Sequence, residues 1–248
     1  MSFLTHELID HDDVSIEFRN ESSTILTNHH HDKIFESASL IKLPIMIYIF
    51  NHLDKEARLE NIEIPSKVGG SGVLQHMNVH QLSINDLISL MIIVSDNTAT
   101  NTLIHHFGLH HINAFIKDTL KCTDTTLNRF MMDDIAISEG KQNVTTAEEM
   151  IKMLHYITQH TDSEEMMEIM RNQHLNDKAS IYKSFYEDTF TFYTKTGEYG
   201  NVINDVGIIQ HDGHYYFYSF LSNTNNPEKA IDFSHNFGSY MIQSILKL

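Results

Sequence analysis

The chain has 248 residues, 41% of them hydrophobic and 20% charged, with a formal net charge of −16. That balance suits a globular protein with a sizeable core, as one large domain or two packed halves, and excludes a disordered chain. The excess of acid argues against nucleic acid and anionic membrane as partners, since both demand a basic surface.

The first residues, Met1-Ser-Phe-Leu-Thr-His-Glu-Leu-Ile-Asp10, carry no basic start, no apolar run and no small-residue cleavage site. No stretch of the chain reaches the roughly 18 apolar residues that span a bilayer. A cytoplasmic monomer is therefore expected, or a secreted one if a leader has been removed. Val14 to Phe18 alternates apolar and polar residues as a half-buried strand does, and Ser23 to Thr27 repeats the pattern after a turn at Asn20-Glu-Ser. From Ser39 the chain becomes apolar nearly all round (Leu40, Ile41, Leu43, Ile45, Met46, Ile49, Phe50), which predicts a helix inside the protein. Pro44 stands in its first turns, where a missing N–H costs least.

Gly69-Gly-Ser-Gly72 reads as a loop at a substrate cleft, because it lacks the lysine of a phosphate-binding loop. Ser83 with Asp86 three residues on starts a second helix. Ser95-Asp-Asn97 forms a loop, and a further helix runs through Leu103 and Ile104. Residues 119–143 show weak periodicity and read as one long functional loop. Cys122, the single cysteine, has no intrachain partner and no surrounding motif, and reads as a structural thiol. Thr145 and Glu148 stand at capping-box spacing before another helix. Three segments rich in aromatic and β-branched residues follow, Thr189 to Thr194, Val202 to Ile209 and His214 to Leu221, with Asp212-Gly213 as a hairpin turn. A closing helix runs from Pro227. Strands, helices, strands and a final helix describe an α+β protein with an antiparallel sheet.

Three short motifs carry chemistry. Ser39-Leu-Ile-Lys42 places a hydroxyl and an amine on one helical face. A serine hydroxyl needs a neighbour to take its proton, and a lysine does so only where burial and nearby cations hold it neutral. Ser95-Asp-Asn97 and Lys195-Thr-Gly197 follow, on a predicted interhelical loop and a predicted strand. In this order the three are the signature of class A β-lactamases and penicillin-binding proteins.

At these motifs, and in Phe35 to Pro44 and Met91 to Ile104, the sequence resembles the class A β-lactamase family, from about Val14 to the final helix. The resemblance implies the fold: a five-stranded antiparallel sheet flanked by helices, beside an all-helical lobe. The whole chain, 1–248, would form one such unit, with an α/β lobe of about 1–50 and 187–248 and a helical lobe of about 51–186. It implies Ser39 as acylated nucleophile, Lys42 as proton acceptor and Ser95 as relay to the leaving nitrogen. Asn97 would hold the substrate and Lys42, while Lys195 and Thr196 bind a carboxylate. Gly197 completes the strand motif, and the N–H groups of Ser39 and Glu198 form an oxyanion hole.

The family's water-activating glutamate stands in E-x-x-L-N. Here Asp124-Thr-Thr-Leu-Asn128 matches that pattern with an acid one methylene shorter. No arginine falls on the late strands, so Lys195 and Thr196 are expected to bind the carboxylate alone. The leading expectation is a serine hydrolase of β-lactam amides, with a small-molecule substrate. A penicillin-binding peptidase or esterase with slow release, and a binding module without turnover, are the alternatives. No cofactor is expected, and no metal: His29-His-His31, His105-His106 and His110-His111 lack converging spacing and read as surface histidines.

Overall fold

The computed structural model describes residues 12–248; the expectation for residues 1–10 lies outside them. β1 (Val14–Asn20) and β2 (Ile25–His29) form a hairpin, and β3 (Phe35–Glu36) leads through a 3-10 turn at Ala38–Ile41 into α1 (Lys42–His52). β4 (Asn61–Glu63) and β5 (Gln81–Ser83) pair, followed by α2 (Ile84–Ile93), α3 (Asn97–Phe107) and α4 (Leu109–Asp118). Next come α5 (Asp134–Ser138), β6 (Val144–Thr145), α6 (Ala147–Gln159), α7 (Ser163–Arg171) and a 3-10 segment at Ala179–Phe185. The chain ends in β7 (Thr191–Tyr199), β8 (Val202–His211), β9 (His214–Ser222) and α8 (Pro227–Ile245).

The five long strands form one antiparallel sheet in the order β2-β1-β9-β8-β7, so the early strand β1 pairs with the late strand β9 inside the sheet. Asp212 and Gly213 both have positive φ (49° and 83°), the geometry of a tight two-residue hairpin whose twist matches the strands. Alternation along β9 builds two cores. Tyr216, Tyr218 and Phe220 pack under α8 with Phe237 and Met241. Phe217 and Leu221 face the other way, into a cluster with α1, α2, α3 and α6. Lys42 to Phe50 of α1 are all buried, as the lack of any polar face predicts.

Local chemistry fixes the ends of these helices. Ser83 Oγ accepts the Asp86 N–H at 3.0 Å and starts α2. Asp96 Oδ1 accepts from Ala99 N at 2.9 Å and starts α3. Asn226 caps α8 with Pro227 in its first turn. The cap of α6 differs from the expected one: Thr146, not Thr145, accepts the Glu149 N–H. Thr145 is instead taken up by the β3–β6 pair opposite Phe35, so the helix begins one residue later. The long loop expected at 119–143 also contains α5, capped by Asp133 through the Ala136 N–H.

Candidate active site

Ser39 lies in the 3-10 turn that feeds α1, half-buried, and Lys42 opens the helix proper. Two contacts hold that turn from outside. Asn204, buried on β8, donates to the carbonyls of Glu36 (2.9 Å) and Ser37 (3.1 Å). Asn143 accepts the Ser37 N–H through its own carbonyl at 2.8 Å. Ala38 and Ser95 both adopt positive φ, 45° and 55°. For residues with a side chain this costs of the order of 1–3 kcal/mol, and such strain collects at functional sites.

Lys42 is fully buried and its Nζ sits 2.7 Å from Ser95 O, 2.9 Å from Asn97 Oδ1 and 3.0 Å from Ser95 Oγ. Burial, then the charge of Lys195, push its pKa well below the usual lysine range, against a smaller opposing pull from Asp96. A neutral amine has two N–H bonds and one lone pair. Ser95 O and Asn97 Oδ1 are permanent acceptors that take the two N–H groups, which leaves the lone pair for a hydroxyl.

Lys195 is also fully buried, and donates to Ser95 Oγ at 3.1 Å and to Thr196 O at 2.6 Å. Burial, then the charge of Lys178, bring its pKa down to about 7, with Asp205 opposing. One hydroxyl, Ser95 Oγ, thus stands between two amines of lowered basicity. Asn97 is oriented from its other end, where Nδ2 donates to Gly69 O at 3.1 Å. The loop at 69–72 packs directly on this turn: a Cβ on Gly70 would come within 2.7 Å of Asn97 Nδ2, and one on Gly72 within 2.2 Å of Asp96.

Gly197 brings β7 against the turn that holds Ser39. A Cβ there would meet Ser37 O at 2.9 Å and Ser39 N at 3.1 Å. Gly197→Ala is therefore expected to push β7 off the turn. The overpacking would cost about 1–3 kcal/mol of stability, and activity toward an activated ester would fall at least about tenfold as the strand and the Ser39 turn lose their alignment. Thermal melts and ester kinetics check both. An alanine variant as stable and as fast as the parent would show the close approach to be irrelevant.

Two cavities open on Ser39. One, of about 180 Å³, is lined by Ala38, Gly70, Asn97, Arg129, Met131 and Glu198 among others. The second, of about 330 Å³, is lined by Ser71, Ser95, Asp177, Lys178, Thr196 and Glu198 among others. A cavity of about 800 Å³ beyond the outer edge of β7 contains none of the motif residues.

The fold therefore gathers Ser39, Lys42, Ser95, Asn97, Lys195, Thr196, Gly197 and Glu198 around one cleft. Asp124 is not among them. It is exposed, lines neither cavity, and its N–H donates to Glu149 Oε1 at 3.0 Å. The loop reaches the cleft instead through Arg129, Met131 and Met132, and Asn101 holds Met131 there, donating to Met131 O (3.0 Å) and accepting from Met131 N (2.7 Å). Lys178 is a further cleft residue that no motif marks.

The model of the β-lactamase enzyme family matches residues 7–244. The chain belongs to this family. It is thus a hydrolase of the β-lactamase type. Solved structures share the fold. A β-lactamase from Sphaerobacter thermophilus is 26% identical, with a TM-score of 0.83 over 95% of this chain and 92% of that one. PBP-A is 23% identical, with a TM-score of 0.84 over 97% and 93%. PBP-A in a mutant form, as an acyl-enzyme complex with penicillin G, is 24% identical, with a TM-score of 0.79 over 95% and 90%. No curated protein sequence matches the chain. Among the described residues no helix is long and apolar enough to cross a membrane, and no group of three or more His, Cys, Asp or Glu side chains is placed to hold a metal ion.

Proposed function

We propose that this β-lactamase-family hydrolase forms an acyl-enzyme on Ser39 with β-lactam amides and releases it slowly. The observation that carries the reading is Ser95 Oγ, 3.0 Å from Lys42 Nζ and 3.1 Å from Lys195 Nζ on the floor of the cleft that holds Ser39.

The proposed proton path runs from Ser39 to Lys42 and through Ser95 to the leaving group. Neutral Lys42 takes the Ser39 proton as Oγ attacks the lactam carbonyl. The backbone N–H groups of Ser39 and Glu198 stabilise the resulting oxyanion, each worth about 3–4 kcal/mol. As the C–N bond breaks, Ser95 gives its proton to the departing nitrogen and regains one from protonated Lys42 through their shared hydrogen bond. Lys195 donates to Ser95 Oγ throughout, and its charge helps to keep Lys42 neutral.

Water must then attack the ester, and a general base must stand within reach of it. The two cavities at Ser39 offer Met131 where the loop meets the cleft, and their acidic residues, Asp177 and Glu198, are both held by Lys178, at 2.9 and 3.0 Å. Acylation is therefore equipped and deacylation is not. With a chromogenic cephalosporin, colour appears as a burst equal to the enzyme concentration followed by a much slower steady phase, and Ser39→Ala gives neither. Linear turnover without a burst would contradict slow release, and no colour at all would sink the acyl-enzyme.

The pH profile of acylation tests the paired amines. With a carboxylate-free activated ester the rate rises as Lys42 loses its proton, which burial and the neighbouring Lys195 charge bring about well below the usual lysine range. It falls again as Lys195 gives up its proton near pH 7 and withdraws its positive charge from Ser95 and Lys42. A rate that climbs without a descending limb up to pH 9 would remove Lys195 from the mechanism.

A further inference from the structure

We propose that the cavity beyond the outer edge of β7 binds a small organic anion, a carboxylate or phosphate carried on an apolar body, and that its occupancy stiffens one wall of the catalytic cleft. The inference stands apart from the acyl-enzyme reading. None of the motif residues lines this cavity, and neither binding nor stiffening requires Ser39 to react.

The cavity and the cleft share a wall. In the connection between α7 and the 3-10 segment, Gln173, His174 and Asn176 line the cavity, whereas Leu175, Asp177 and Lys178 line the cleft that Ser39 and Ser95 share. One strip of chain thus separates the two spaces, and it is fastened on several sides. Gln173 Nε2 donates to Ile92 O at 2.8 Å and His174 N to Ile93 O at 3.1 Å, at the end of α2. Asn176 Oδ1 accepts the Thr194 hydroxyl at 2.9 Å, one residue before Lys195. From the cavity, Lys183 Nζ donates to Arg171 O and, at 3.4 Å, to Gln173 O.

Charge selects the ligand. Lys183 is half-buried and both its acceptors are neutral carbonyls; among the described residues no carboxylate lies within ion-pair distance of it. Burial, then the charge of Arg171, lower its pKa, with Asp205 opposing. Arg171 is itself only loosely paired, 3.7 Å from Glu168 with both side chains more than half exposed, and such a pair contributes little. Glu168 and Glu187, the acids of the wall, are exposed. An ammonium has three N–H bonds; the two carbonyls take two, and the third remains for a ligand. An anion seated there balances the Lys183 charge and strengthens its bond to Gln173 O, so one ammonium both holds the ligand and tightens the strip. Ile181, Phe190 and Phe192 supply an apolar side, and about 800 Å³ accommodates a body of drug size.

The test titrates phenyl phosphate and phenylacetate into the intact protein by calorimetry at fixed ionic strength, with benzyl alcohol as the uncharged control. Hydrogen exchange read by mass spectrometry follows the strip at 173–178. At least one of the two anions binds one to one, the tighter of them naming the head group, and the alcohol does not bind. Exchange in the strip slows at least about threefold when the anion is bound. Lys183→Met weakens binding at least about tenfold, as expected for loss of a charge-assisted contact, and removes the protection. Arg171→Gln, at an exposed position, weakens binding about threefold and decides the matter should the methionine variant fail to fold. Binding that neither variant changes would place the anion elsewhere and overturn the inference. So would an alcohol that binds as well as the anions, no binding by either anion, or binding that leaves exchange in the strip unaltered.

Discussion

Lys42→Met is expected to slow acylation of Ser39 by about 10³-fold, within the range that a positioned general base contributes. The side chain is of similar length but cannot accept a proton, and no other base touches the same hydroxyl network except Lys195, whose hydrogen bonds already point at Ser95 Oγ and Thr196 O. The variant should fold. Methionine suits a fully buried site better than an amine does, although it leaves Ser95 O and Asn97 Oδ1 without their donor. Each unsatisfied acceptor costs about 1–3 kcal/mol. Relief from burying an amine beside the Lys195 charge offsets part of that. Circular dichroism and a melting curve confirm the fold, and pre-steady-state acylation by a β-lactam supplies the rate. A folded variant that loses less than about tenfold would show that Ser39 is activated by something other than Lys42.

Met131→Glu is expected to act on the opposite half of the reaction, shortening the lifetime of the acyl-enzyme by about 10²-fold or more. The reciprocal hydrogen bonds from Asn101 hold the backbone of residue 131, so a glutamate there faces the same cavity as Ser39. Glutamate and methionine are close in length, and the wall already contains the polar groups of Asn97, Ser71 and Asn143 to accept it. A new negative charge would also favour protonated Lys42 and slow acylation somewhat. Release gains by general-base catalysis while attack loses by a pKa shift, so the burst becomes smaller and the steady rate larger. Stopped-flow and steady-state measurements on one chromogenic cephalosporin separate the two. An adduct as long-lived as the parent's would mean that water cannot reach the ester from the side of Met131.

Much of the site is legible in the sequence because helices and strands translate spacing into direction. Ser39 and Lys42 share a face by helical geometry. Asp96, a good helix cap, fixes the turn that presents Ser95 and Asn97. Gly197 follows Lys195 and Thr196 on an extended strand where backbone must touch backbone. The five-stranded sheet is likewise legible from alternation and from the Asp212-Gly213 turn.

The loop from 119 to 143 is different. It has no period, so which side chain faces the cleft is decided by distant partners. The amide of Asn143 takes the Asn128 and Arg129 N–H groups, and Asn101 takes the Met131 peptide. Those contacts turn Met131 inward, and Asp124, which fits the expected acid by pattern, ends exposed beside Glu149. Lys178 escapes sequence reading for the same reason. Asn176-Asp-Lys178 looks like a polar connection, and only its burial against β7 makes its ammonium part of the wall.

The most direct measurement is the intact mass of the protein after brief exposure to excess benzylpenicillin, removal of the free drug, and incubation for hours. A single added equivalent, placed on Ser39 by peptide mapping and fading only slowly, is the predicted result. A protein that destroys penicillin while its mass never changes, or whose adduct maps to any other residue, would contradict it.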